Sequence, residues 1–572
     1  MSELLPLRLI RALESAIDSP RAEELPFLDS LDQTLRHLFP EGRGAEIEAS
    51  GQVPFDELRA FAASGGLAPF VPGDIGGDAN WPLAMRTGAY FAAHEPDALL
   101  CLGGALLGSF PVLCAGTLEQ KTAVYESLQK GHLAAFGVSE WAHGLDLLGN
   151  ESYAEPIDAE GRACSLEHAT HFRLNGCKAP VNNASEGFHL AVAMRTSAGR
   201  EANSQSLFLL RRDMDGLHKG SRFPSIGYRC MDLSSIVMTD LVVPRSALLG
   251  EVGEGFVHAR RALEISRSGV ATMAAGFQVR VLAIAAAHAQ TRQLYGAPIS
   301  ALEAIRSLLA GLYARSVEAI ALARMTAHLM NHAAVSARVL TAVCKYQIPW
   351  LLDKSVQDAG TLLGARSLME DLPLARARRT APLFAIFDGS SFLQKDEIWR
   401  GMISWPSGRT GGVQRYHELR RDTCSFQPWS EDESLLAMYT PPALLQDLHA
   451  SLPALGLDAA ADFAQLLAGV VRDLRRAPQS LRFLASELVA DLYGLSASAL
   501  AVATTSPEQA ALLLPALRLR FAEFLLSAEP KARLLGVSPP AAAALEQAAR
   551  GKQEAEEAAA SSLLSLVDSL VI

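Results

Sequence analysis

A chain of 572 residues, 49% hydrophobic and 20% charged, holds enough apolar material for more than one core and lies far from the composition of a disordered protein. Its formal net charge of −11 repels phosphate backbones and anionic lipid surfaces, which argues against a nucleic-acid partner and against a membrane. The cysteines, Cys101, Cys114, Cys164, Cys177, Cys230, Cys344 and Cys424, are widely spaced with no C-x-x-C pair, so neither a disulfide framework nor a metal site is expected.

Arg8, Arg11, Glu14 and Asp18 interrupt the first apolar residues. That denies the start the apolar run of a secretory signal, and a cytoplasmic protein is expected. Residues 1–133 read as an N-terminal helical domain, because apolar positions such as Phe55, Leu58, Phe61 and Ala62 recur at helical spacing around a Pro/Gly-rich break at 71–77. The uncharged stretch 98–117 is long enough to span a bilayer. Its glycines, Pro111 and the polar residues that follow predict a helix buried in a large core instead.

Residues 134–250 change to short alternating or β-rich runs, among them 190–194, 206–210 and 236–243, which predicts a β domain. Residues 251–425 return to long Ala- and Leu-rich patterns with few breakers before Pro349, Pro373 and Pro382, which predicts a helical bundle. A polar, proline-punctuated connection then leads into a helical C-terminal extension, 426–572. Helices, a β unit and helices again make an α+β order rather than alternating βαβ. The GEVGEG run at 250–255 has neither dinucleotide nor P-loop spacing and reads as the turn from β domain to bundle.

Several motifs fall in one order: GTLEQK (116–121), FGVSEWAHGLD (136–146), LNGCKAPVNN (174–183), DLVVP (240–244) with LLG (248–250) and GEGF (253–256), RQLYGAPI (292–299), Gln357 with Gly360, and IFDGSSFLQ (386–394). Together they resemble the acyl-CoA dehydrogenase family, whose patterns are G-T-x-x-Q-K, (T/S)-E-P-x-A-G-S-D, L-N-G-x-K-x-W-I-T-N, D-V-x-V-P, L-L-G-x-x-G-x-G-F, R-x-Q-F-G-x-P-I, Q-x-x-G-G and I-Y-E-G-T-x-x-I-Q. The likeness covers about residues 50–405. It implies the acyl-CoA dehydrogenase fold: an N-terminal helical domain, a central β-barrel-like domain and a C-terminal four-helix bundle, here with an extra C-terminal helical domain. It also implies FAD held between the β domain and the bundle.

The cofactor-binding residues implied by the resemblance are Val138, Ser139, Pro180, Asn182, Arg292, Tyr295, Gln357, Gly360 and Ser390. Arg292 matches the arginine that meets the FAD diphosphate of a neighbouring subunit, so a homodimer or homotetramer is implied. A guanidinium suits that contact because it offers forked, permanent donors to phosphate oxygens. The reaction implied is α,β-dehydrogenation of an acyl thioester, on coenzyme A or an acyl carrier protein, with electrons passed on to an electron-transferring flavoprotein. Asp388 stands at the catalytic-base position.

A carboxylate with an aqueous pKa of about 4 needs a dry site to abstract a carbon-bound proton. Aspartate replaces the usual glutamate at 388, and one methylene fewer retracts the carboxylate by about 1.5 Å, enough to require a re-shaped pocket. Nitroalkane oxidases of this fold use an aspartate, so a flavin oxidase or oxygenase is the alternative reading, and a catalytically weak carrier-protein scaffold is another. Some relatives place the base before the arginine of the first bundle helix. Here that residue is Ser266, before Arg267, which cannot serve alone, and Glu264 lies one helical step away. Leu145 stands for a serine, Pro180 for a tryptophan and Asn182 for a threonine.

The extension resembles in position that of very-long-chain acyl-CoA dehydrogenases. Its apolar face, Leu563, Leu564, Leu566, Val567, Leu570 and Val571, is expected to pack on its own domain or a dimer mate. His328 and His332, spaced i, i+4, are read as a packed or surface pair rather than metal ligands. Arg376, Arg378 and Arg379 are read as a solvated helix face.

Overall fold

Strands rich in Val, Leu, Ile and Phe form a mixed sheet in one of two compact units, which comprises Gln33–Ala79 and Glu95–Ser266. The structure, a computed structural model, describes residues 5–144, 146–370, 372–405, 408–455, 457–473, 477–540 and 542–571. The strands are β1 (Ala134–Gly137), β2 (Tyr153–Ile157), β3 (His171–Asn182), β4 (His189–Arg195), β5 (Gln205–Arg211), β6 (Leu217–Lys219), β7 (Leu233–Pro244) and β8 (Leu248–Leu249). They run in the order β6-β7-β3-β2-β4-β5-β8, with β1 paired in parallel to β4.

β4 is buried from His189 to Met194, so its sequence is a continuous apolar run instead of an alternation, as a strand covered on both faces requires. The Phe172 and Phe208 rings meet edge-on at 5.1 Å in the core of this sheet. The helix Pro96–Ala115 packs on β1, and it can do so because Gly108 has no side chain: a Cβ there would lie 2.5 Å from Ala135 N. This helix is the uncharged stretch of the sequence, buried as expected. It is one of three described helices long and apolar enough to cross a membrane, with Gly255–Thr291 and Gln479–Thr504, and their most apolar windows are 83%, 83% and 78% buried.

The other unit comprises Met1–Asp32, Asn80–His94 and Arg267–Ile572. Its centre is the pair of helices Glu303–Ala333 and Arg338–Leu363. The helices Gln479–Thr504, Pro507–Leu535 and Ala542–Val571 of the extension pack against Glu303–Ala333. Leu563 and Val567 are fully buried, so the apolar face of the last helix is used within its own unit. The division cuts through the stretch 1–133 that reads as one helical domain: the helices Leu5–Ile17 and Trp81–His94 belong with the bundle, and Pro96–Ala115 belongs with the sheet.

A buried charge cluster ties the N-terminal helix into the bundle unit. Arg86 meets Glu14 at 2.9 Å and Asp18 at 3.0 Å. Asp18 also accepts from Arg324 and His328, each at 2.9 Å, and pairs with Arg420 at 2.6 Å. Burial alone would raise the Asp18 pKa, but His328, Arg324 and Arg86 together hold it well below the carboxylate range. Burial outweighs Asp18 at His328 and lowers its pKa, so at pH 7 the imidazole is a neutral N–H donor. Removing one partner of a buried ion cluster leaves uncompensated charge and costs about 3–5 kcal/mol. Asp18→Asn is therefore expected to lower the unfolding free energy at pH 7 by about that amount; a urea titration with a change under about 1 kcal/mol would show that the cluster is not tightly coupled.

Candidate functional site

In the sheet-bearing unit two of the sequence motifs are joined by one ion pair. Glu140 of the first motif meets Lys178 of the second at 2.8 Å, and both are buried. Glu140 also accepts from the backbone N–H groups of Glu151 and Ser152 at 2.7 and 2.8 Å. Burial opposes these partners, but they prevail and bring the Glu140 pKa down to about 2. The pair fixes the end of β1 against β3, where Ala179 N donates to Ser139 O at 3.1 Å.

Val138, Ser139, Pro180 and Asn182 are thereby gathered along one part of the sheet. Val138 is buried, Ser139 and Asn182 are half-buried and Pro180, after a cis peptide bond, is exposed. Asn182 Nδ2 donates to Leu100 O at 3.1 Å, against Gly104 of the Pro96–Ala115 helix. Its Oδ1 is buried and has no hydrogen-bond partner among the described residues, an acceptor suited to an N–H group of a bound ring. The half-buried Ser139, whose backbone O accepts from Ala179 N of β3, offers a hydroxyl as a further polar group. These groups fit a heteroaromatic cofactor with both donors and acceptors on its rim. Leu145 lies outside the described residues.

In the bundle unit the segment around Asp388 is a left-handed turn. Asp388 has φ 57° and Gly389 φ 92°; glycine adopts this region freely, and aspartate is among the side chains that tolerate it. Ser390 follows as the residue preceding the helix Ser391–Ile403. Lys345, on the Arg338–Leu363 helix and fully buried, donates to Phe384 O at 2.6 Å and Gly389 O at 3.3 Å, and its ammonium lies 5.6 Å from the Phe387 ring centroid. Gln394 Nε2 adds a bond to Gly389 O at 3.1 Å. Backbone on both sides of Asp388 is thus held by side-chain donors, and its Oδ1 is shielded from solvent.

Burial lowers the Lys345 pKa to about 8; Asp388 opposes the change and Arg267 adds to it. Lys345 is therefore charged at pH 7 and faces the base candidate as a nearby cation. The sequence carried a signal for it that the motif reading passed over: a lone lysine within the apolar run 339–352, a position that a charged side chain occupies only with partners.

The remaining candidates lie apart from Asp388. Gln357 is exposed, bonds Asp353 on its own helix at 2.9 Å and sits about 18 Å along that helix from Lys345. Gly360 is buried inside the helix, where a Cβ would meet Arg378 Nη1 at 2.5 Å. The glycine that ends the helix is Gly364, with φ 60°, which the sequence reading did not single out. Arg292 is exposed beside a hairpin in which Gln293–Leu294 pairs with Ala297–Pro298. The hairpin turns through Tyr295 (φ 53°) and Gly296 (φ 84°), as a two-residue loop with both central residues left-handed does. Tyr295 is 93% exposed at its tip.

The alternative base positions are occupied otherwise. Ser266 Oγ donates to Leu263 O at 3.0 Å, and Glu264 is buried against Arg261 at 2.9 Å. Of the basic cluster, Arg376 is buried and Arg378 reaches Ser367 at 3.3 Å, so it is not one continuous solvated face. His328 and His332 are separated in function as well: His328 enters the Asp18 cluster, and His332 turns to Asp422 and Cys424.

Comparison with known proteins agrees with this architecture. A family model described as acyl-CoA dehydrogenase, C-terminal domain, matches residues 253–403. The human mitochondrial short-chain specific acyl-CoA dehydrogenase is 25% identical over 396 residues, 68% of this chain and 92% of that protein. An acyl-CoA dehydrogenase from Bacillus anthracis, solved with FAD, has a TM-score of 0.71 at 19% identity and covers 96% of this chain and 95% of its own, so the likeness in fold extends through the C-terminal helices. The prolyl acyl carrier protein oxidase AnaB has a TM-score of 0.61 at 17% identity, covering 67% of this chain and 99% of its own. The fold is that of the acyl-CoA dehydrogenases. Residues 253–403 carry the C-terminal domain typical of the acyl-CoA dehydrogenases, and the chain as a whole is similar to these FAD-dependent oxidoreductases.

Proposed function

We propose that this protein dehydrogenates an acyl thioester between the α and β carbons, with Asp388 as the base that removes the α proton. The observation that carries the reading is the pinned left-handed turn at Asp388, which sits at the family's base position with Lys345 holding the backbone on both sides of it. FAD is the cofactor, and when bound it accepts the two electrons of the oxidation. In the sheet-bearing unit Ser139 and the Asn182 Oδ1 are the groups that would meet it. In the bundle unit the exposed Arg292 and its hairpin would meet the diphosphate of a neighbouring copy, which makes the working form an oligomer.

The carrier of the acyl group, coenzyme A or an acyl carrier protein, follows from the same chemistry, because both present the thioester. A second reading, an oxidase acting on a carrier-bound acyl group, draws on the shorter base at 388 and on the likeness in fold to AnaB. Anaerobic addition of acyl-CoA and acyl-carrier-protein thioesters to the purified protein is expected to bleach the flavin absorbance with one class and release the α,β-unsaturated product. Absence of flavin, or no bleaching with either class, overturns the proposal. Rapid return of colour in air selects the oxidase; return only with an electron-transferring flavoprotein selects the dehydrogenase.

A further inference from the structure

The last turn of the Glu303–Ala333 helix and the connection after the helix Gly412–Leu419 bring together three side chains that the reaction does not use. His332 Nδ1 lies 3.5 Å from Cys424 Sγ and 3.5 Å from Asp422 Oδ2, and all three donor atoms fall within 4.8 Å of one another. We propose that His332, Asp422 and Cys424 bind a divalent zinc-class ion.

The spacing is the first argument. A zinc ion takes nitrogen at about 2.0–2.1 Å, thiolate at about 2.3 Å and carboxylate at about 2.0–2.2 Å in a tetrahedron. Those bonds set the N···S and N···O separations at about 3.3–3.6 Å, and both measured separations lie in that interval. The 3.5 Å between nitrogen and carboxylate exceeds a good direct hydrogen bond, about 2.7–3.2 Å, and suits an ion between them. The donor set, one imidazole, one thiolate and one carboxylate, is of the borderline type that zinc takes and that magnesium or calcium does not.

The surroundings orient these donors. Asp422 Oδ1 accepts from Cys424 N at 3.1 Å, which leaves Oδ2 on the side of His332. Asn331 Nδ2 donates to Cys424 O at 2.8 Å and reaches Sγ at 3.3 Å, where it supports a thiolate. Binding as a thiolate displaces the Cys424 thiol proton to solvent. Asp422 and Cys424 are exposed, which gives an ion a path in and leaves the fourth coordination position to water.

The test uses the full-length flavoprotein, exposed to a chelator and then titrated with Zn²⁺ in competition with a colorimetric indicator. One ion per chain is expected, with Cys424→Ser and His332→Gln each weakening affinity at least about 100-fold and Cys177→Ser, at another exposed thiol, leaving it unchanged. Alkylation of the wild-type protein followed by peptide mapping provides a check that needs no variant: Zn²⁺ is expected to protect Cys424 and leave Cys177 reactive. Equal affinity in wild type and Cys424→Ser, or equal alkylation of Cys424 with and without Zn²⁺, overturns the assignment.

Discussion

Asp388→Asn is expected to lower turnover of the acyl thioester by about 10²–10⁴-fold, the contribution of a positioned general base, while flavin content and thermal stability stay close to wild type. The substitution suits the question. Asparagine has the shape of aspartate and also tolerates a left-handed backbone, so the turn at φ 57° is retained. Lys345 keeps both of its carbonyl partners, because neither is the carboxylate. What is lost is the proton acceptor. Activity within about threefold of wild type in a single-turnover flavin-bleaching assay would remove Asp388 from the reaction. Loss of flavin in the variant would instead assign the residue a structural role.

Lys345→Met is expected to reduce turnover by about 10–100-fold with a much smaller change in KM. Methionine keeps most of the unbranched apolar stem but no longer donates to Phe384 O and Gly389 O, so the turn that aims Asp388 relaxes. Displacement of a reacting group by about 1 Å costs on the order of a hundredfold. The pH dependence separates this role from simple packing. With a pKa of about 8 in the folded chain, the ammonium is lost above that pH, and the wild-type rate is expected to fall there; the Met variant lacks that limb. Arginine at 345 is expected to restore part of the rate without restoring the limb.

Stability carries the same signature with its own sign. The Lys345 pKa is about 8 folded against 10.5 for the ordinary side chain. Below pH 8 both states hold the proton, and burying the ammonium costs on the order of 3 kcal/mol. Between about 8 and 10.5 only the unfolded chain holds it, so this group's contribution to stability rises with pH across that window and levels off above it. Denaturant titrations at pH 7 and pH 10 are expected to show this rise in the wild type and not in Lys345→Met. An identical pH response in the two proteins would mean that Lys345 does not titrate as its burial implies.

The family motifs were legible in the sequence because most of them are joints with local requirements. Thr117 accepts from Gln120 N while the Gln120 side chain accepts from Thr117 N, so T-x-x-Q marks a helix start. Tyr295-Gly296 marks a hairpin, and Asp388-Gly389 a left-handed turn. Such features are written in a few consecutive residues. Partners far apart in the chain were not legible: Glu140 with Lys178, Lys345 with the Asp388 turn, and His332 with Asp422 and Cys424 need the fold to bring them together. The i, i+4 spacing of His328 and His332 reads as a packed or surface pair, but only the fold shows that His328 packs against Asp18. The helical period likewise says nothing about which core each helix joins, so the division of the stretch 1–133 between the two compact units was not legible.

The Asp18 cluster also fixes an order of events during synthesis. Glu14 and Asp18 leave the ribosome before their cationic partners, of which the one at 420 comes last, after Arg86 and Arg324 and roughly tens of seconds behind Asp18 at about 5–20 residues per second. The whole of the sheet-bearing unit, ending at Ser266, is synthesised before either Arg324 or Arg420 is available. That unit can therefore fold while the chain is still growing. Arg86 can pair with Glu14 and Asp18 early, but the cluster is complete only once Arg324 and Arg420 have been made.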